Sequence, residues 1–108
     1  MNHNVISMQD ELTEEERALR VRMTAFAMTF PSMRYAFGVK PWDAVERDAW
    51  GNGPRSHGER VTAQFLLDVW DPSTDWKCGR FDLMEALRIW DPGHHQAFLR
   101  WVADPWWP

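Results

Sequence analysis

Asp91, His94 and His95 come closest to a metal-ligand set in this chain, with His57 as an outlying fourth group. A four-residue spacing puts Asp91 and His95 on one helical face, but consecutive histidines diverge by about 100° around a helix, so only one of them joins the aspartate. The positive end of a helix dipole also disfavours a protonated imidazole, which suits these histidines to a neutral capping or surface role. Neither a metal nor a cofactor is expected.

Covalent catalysis would need Cys78, or a serine with a base beside it. Lys77 and Arg80 flank Cys78 and would lower the pKa of its thiol if both faced it. His57 stands near no nucleophile in sequence, and no two carboxylates are set apart by their surroundings as an acid and a base would be. No catalytic residue is expected, and the chain reads as a non-enzyme.

The helix ending at Trp90, the tight Asp91-Pro92-Gly93 turn and the helix running on to Asp104 share the layout of a helix-turn-helix. The second helix offers His94, His95, Gln96 and Arg100 as contacts, between aspartates at both ends, and the whole chain carries a net charge of −4. Phosphate backbones are held by basic surface, so an ordinary helical hairpin is the better reading and nucleic-acid binding is a runner-up.

A protein partner is the remaining class. Eight tryptophans in 108 residues are more than a small interior accommodates, since each buries roughly 150–250 Å². Interfaces concentrate binding energy on tryptophan and arginine, and methionine, present six times, adapts to irregular surfaces. The expected function is a small non-catalytic adaptor or inhibitor, with Trp76, Trp101, Trp106, Trp107 and Arg100 as the contact residues. An acidic inhibitor that occludes a nucleic-acid enzyme is one variant; a metal-dependent enzyme or metal-binding protein is the weakest alternative.

The elements that must position these residues are helices. Ala63, Leu66, Leu67 and Trp70 precede Asp71-Pro72, and Leu83, Ala86, Leu87 and Trp90 precede Asp91-Pro92. Both sets are spaced i, i+3, i+4, i+7, the buried stripe of an amphipathic helix, with Phe65 and Val69 widening the first. Trp-Asp-Pro then acts as punctuation: Trp closes one apolar face, Asp caps the next turn or helix and Pro occupies its first position. A repeat array would need a third copy, and Ala103-Asp104-Pro105 matches only its tail.

Capping pairs mark the starts: Thr13 with Glu16, Ser56 with Glu59, and Asp82 with Glu85. The first helix should run over 13–30 before Pro31, burying Leu19, Met23, Phe26 and Phe30. A short helix is expected over 41–50, with Pro41 near its first position and Trp42, Val45 and Ala49 buried, before the break at Gly51-Asn52-Gly53-Pro54. Between these two helices, Met33, Tyr35, Phe37 and Val39 alternate with Arg34, Ala36, Gly38 and Lys40, which predicts a short extended segment over 33–39. Phe98, Trp101, Val102 and Pro105 should continue the buried side of the last helix.

The sum is an all-α bundle of about five helices. Residues 1–12 form a flexible lead and 13–108 one helical domain, with helices 56–70, 82–90 and 92–104 as its core. A single cysteine excludes an internal disulfide and fits a reducing, cytoplasmic setting. Neither a secretory leader nor an apolar run of roughly 18 residues is present, so no membrane association is expected.

Overall fold

Thr13 opens the first helix as its sequence requires, with its hydroxyl accepting from the Glu16 amide at 3.1 Å. The computed structural model describes residues 12–108, so the expected flexible lead, Leu12 apart, lies outside the described residues. Among the described residues there are five α-helices: α1, Glu14–Ala27; α2, Ala44–Gly51; α3, His57–Trp70; α4, Leu83–Ile89; and α5, Pro92–Ala103. A 3₁₀ turn, Pro31–Met33, lies between α1 and α2. The fold is all-α, and no described helix is long and apolar enough to cross a membrane.

α3 is the axis of the molecule. Its capping box is complete: the Ser56 hydroxyl accepts from the Glu59 amide and the Glu59 carboxylate accepts from the Ser56 amide. Val61, Thr62, Ala63, Phe65, Leu66, Leu67 and Val69 are all buried, and the helix touches α2, α4 and the 3₁₀ turn. Phe65 is the hub, its ring within 5.0–6.1 Å of Phe26, Phe30, Phe81, Trp90, Phe98 and Trp101. Edge-on aromatic pairs of this kind add about 0.5–1.5 kcal/mol each beyond the area they bury.

The segment 33–39 is not extended. Met33 and Val39 are buried, but Tyr35, 95% exposed, and Phe37 point to solvent, and among the described residues only an isolated bridge joins Val39 to Trp42. Without a second strand the backbone groups had to find other partners, so the chain closes into turns. Gly38, at φ +83°, permits the tightest of them, because a Cβ there would lie 2.5 Å from the Arg47 nitrogen. The Trp42 amide donates to the Thr24 hydroxyl at 2.9 Å, pinning the turn to α1.

α1 stops at Ala27, three residues short of expectation, although Met23, Ala27 and Phe30 are buried as one group. α2 starts at Ala44, not Pro41, because Asp43 is its cap, accepting from the Glu46 amide at 3.0 Å. Its rotation also differs from expectation. Val45 and Ala49 face solvent, while Arg47, Asp48, Trp50 and Gly51 are buried with Trp42. Gly51 sets this face: a Cβ there would stand 2.9 Å from the Ala63 Cβ, so the two helices meet where there is no side chain.

The C-terminal stripes are half filled. Ala86 and Trp90 are buried, but Leu83 and Leu87 remain 43% and 41% exposed, contrary to the expected stripe. α4 is only seven residues long, and the small Ala86 is its one buried residue, which leaves the flanking leucines at the rim. In α5, His94 and Ala97 are buried, Phe98 and Trp101 pack partly against the core, and Val102 and Pro105 are exposed rather than buried. Val102 lies about 100° around the helix from Trp101, past the edge of the i, i+3, i+4, i+7 face.

Between α3 and α4 the chain is irregular but pinned. Asp48 accepts from the amides of Lys77 and Cys78 at 3.1 and 2.9 Å, Asp68 accepts from the Phe81 amide at 3.0 Å, and Gln64 donates to the Cys78 carbonyl at 2.7 Å. Side chains of α2 and α3 thus supply the partners that regular structure would have given. Asp71 closes a turn by accepting from Ser73 and Thr74, without starting a helix.

Candidate functional site

Three of the expected contact residues converge. Trp101 and Arg100 come from the last turn of α5, and Trp106 from the tail, which folds back so that the Trp101 indole N–H donates to the Trp106 carbonyl at 3.0 Å. Facing them are Arg22 and Phe26 of α1 and Thr29 just past its end, and together with Ala97 and Asp104 these residues line a cleft of about 230 Å³. Phe26 meets Trp106 edge-on at 6.2 Å, and the Arg22 guanidinium lies 4.2 Å from the Trp106 ring centre.

Neither Arg22 nor Arg100 forms an ion pair among the described residues. Arg22 is engaged by a π face, which leaves its N–H groups able to donate to an anion in the guanidinium plane. Trp107 packs edge-on to Trp101, itself a wall of the cleft, at 5.2 Å and is 56% exposed. Leu99 and Val102 are exposed on the adjoining surface of α5. Positive charge, aromatic walls and an apolar margin are therefore adjacent.

Trp76, the fifth expected contact, is elsewhere. Its indole N–H donates to the carbonyls of Leu67 and Asp71 at 3.2 and 3.1 Å, and it borders a separate hollow with Val45, Ala49 and Lys77. It helps to hold the irregular segment down. The remaining tryptophans divide similarly: Trp42, Trp50 and Trp90 are buried, and Trp70 is half-buried against Trp42 and Arg20.

The thiol chemistry considered for Cys78 does not arise. Burial pushes its pKa up to about 12, with the Asp48 carboxylate adding to the rise, so Lys77 and Arg80 do not activate it. Among the described residues no group of three His, Cys, Asp or Glu side chains is gathered about a common point. His57 contacts Glu85, and His95 is 3.0 Å from the Leu87 carbonyl, joining α5 to α4. The exposed surface of the hairpin's second helix carries Gln96, Leu99, Val102 and Ala103 beside Arg100.

One constellation was not anticipated. His94 Nδ1 is 2.8 Å from Asp91 Oδ1, and His94 Nε2 is 2.8 Å from Ser32 Oγ. Asp91 also caps α5 by accepting from the His94 amide at 2.9 Å, and these bonds hold its carboxyl below the usual range. The Asp-x-x-His spacing at a helix start was visible in the sequence; Ser32, 62 residues away, carried no signal.

No known protein family, known protein or solved structure matches this chain.

Proposed function

We propose that the protein is a small binding module whose cleft between α1 and α5 takes the C-terminal residue of a partner protein, an apolar side chain with its free carboxylate. The observation that carries this reading is the pair of guanidinium groups, Arg22 and Arg100, lining an aromatic cleft without an ion pair among the described residues. A volume of about 230 Å³ falls below the roughly 300–1,000 Å³ of sites for drug-sized molecules and cofactors, and suits a single side chain. Arginine forks match carboxylates, and the tryptophan walls add apolar contact at low entropic cost. Asp104 on the same rim disfavours a purely anionic ligand and so favours one that is partly apolar. The residues lining the cleft include no paired nucleophile and base, so the activity proposed for it is binding alone.

The probes are short peptides that end in a large apolar residue with a free carboxylate, compared with their C-terminal amides. Charge-assisted hydrogen bonds are worth about 1.5–3 kcal/mol, so the free acid should bind at least ten-fold more tightly than the amide. Arg100→Ala should erase that preference, and Trp107→Ala should weaken binding without lowering the melting temperature. Equal binding of acid and amide, or a preference that survives in Arg100→Ala and Arg22→Ala, would rule the reading out.

A further inference from the structure

The contact between Ser32, His94 and Asp91 joins the 3₁₀ turn to the start of α5, at a distance from the aromatic cleft, and its donors fix the direction of each hydrogen bond. The Ser32 backbone N–H also approaches His94 Nε2, at 3.3 Å. An amide can only donate, so Nε2 carries no proton and the ring proton sits on Nδ1, directed at Asp91. With Nε2 an acceptor, the Ser32 hydroxyl at 2.8 Å must donate to it. A hydroxyl proton aimed at a neutral imidazole, whose far nitrogen is held by a carboxylate, is the arrangement of an activated serine.

The surroundings fix this geometry. His94 is buried, with its ring stacked on Trp90 at an interplanar angle of 19° and 6.0 Å from the Phe30 ring centre. A cavity of about 260 Å³ is lined by Ser32 and His94, with Ser56 and Gly58 of the α3 start and the apolar Ile89 and Trp90 among its other walls. The start of α3, where helix amides lack intrahelical partners, therefore borders the same cavity. Glu59, also in the wall, repels an anionic acyl group.

We propose that Ser32, His94 and Asp91 form an acyl-transfer site for short, uncharged esters. In the first half-reaction Ser32 Oγ bonds to the acyl carbon and passes its proton to His94 Nε2. The ester C–O bond then breaks, and Nε2 returns the proton to the departing alkoxide, releasing alcohol. In the second half-reaction water adds to acyl-Ser32 and gives a proton to Nε2. The acyl–Oγ bond breaks, carboxylic acid leaves and Ser32 regains its proton. Asp91 is a positioning residue: it keeps the imidazole in the required tautomer and balances the charge that forms on it. Because the site is separate from the aromatic cleft, it stands or falls independently of the peptide-binding reading.

The test uses the full chain with p-nitrophenyl acetate and, separately, a fluorophosphonate. Expected are a burst of nitrophenolate stoichiometric with protein, a fluorophosphonate adduct mapped by mass spectrometry to Ser32, and a rate about 100-fold or more lower in Ser32→Ala. Asn caps a helix as well as Asp does, so Asp91→Asn should slow labelling while the melting temperature holds. An adduct that is absent from Ser32 in the wild-type protein would overturn the proposal without reliance on any variant. Ester hydrolysis that is as fast in folded Ser32→Ala as in the wild type, through exposed histidines such as His57, would overturn it equally.

Discussion

Arg47→Met should stabilise this protein. Arg47 is fully buried, and its Nε and Nη2 have no hydrogen-bond acceptor among the described residues. Its one acceptor is the Met33 sulfur, 3.0 Å from Nη1, and the Trp50 ring centre lies 4.0 Å from the guanidinium carbon. Burial, and then the nearby Arg55, lower its pKa from 12.5 to about 10. The group stays protonated at pH 7 in both folded and unfolded chains, so the folded state carries the penalty at every pH below about 10. Relief comes only as pH rises from there toward the unfolded value.

At 1.36 kcal/mol per unit that penalty is roughly 3 kcal/mol. Methionine, unbranched and apolar, keeps much of the packing. It forfeits a desolvated cation–π contact worth about 2 kcal/mol. The net gain should be about 1 kcal/mol, in line with other replacements of buried charge by apolar groups. In a domain of this size that raises the melting temperature by roughly 4–8 °C. Calorimetry and urea unfolding followed by tryptophan fluorescence measure it, with an unchanged m-value showing that the denatured state is the same. A loss of about 2 kcal/mol or more would refute the reasoning, because removing one partner of a satisfied buried pair has that sign and size.

Buried polar contacts dictate two further outcomes. The Trp90 indole N–H donates to the buried Thr62 hydroxyl at 2.8 Å, so Thr62→Val, nearly equal in volume, should strand that donor and cost about 1–3 kcal/mol in urea unfolding. Cys78, buried and with its thiol pushed up to about 12, should react with a disulfide reagent at pH 8 only on unfolding. Fast native-state labelling of Cys78 would contradict its burial and the Asp48 contact.

Helix starts were legible in the sequence because capping is local. Thr13, Ser56, Asp82 and Asp91 all work within three residues, where hydroxyl or carboxylate meets a free amide. The stripe of α3 was equally legible, because a helix at the centre of the core is buried over most of its apolar width. Trp101, Trp106 and Arg100 were singled out by residue type alone, and nothing in their spacing revealed that Arg22 and Phe26 of α1 face them.

Packing settled the rest, for reasons that a linear pattern does not carry. Which way α2 turns depends on the close approach of Gly51 to Ala63, and the result buries Arg47, which no hydrophobic pattern selects. How much of the α4 stripe is covered depends on what stands opposite it, so Leu83 and Leu87 stay half open although their spacing is that of a core. The alternation over 33–39 specified a strand-like period but could not supply a neighbouring strand, and hydrogen bonding then favoured turns. Ser32 meets His94 only because the 3₁₀ turn packs against the start of α5, across 62 residues of chain. Local chemistry is written in local sequence; a constellation assembled across the fold exists only once its elements have packed.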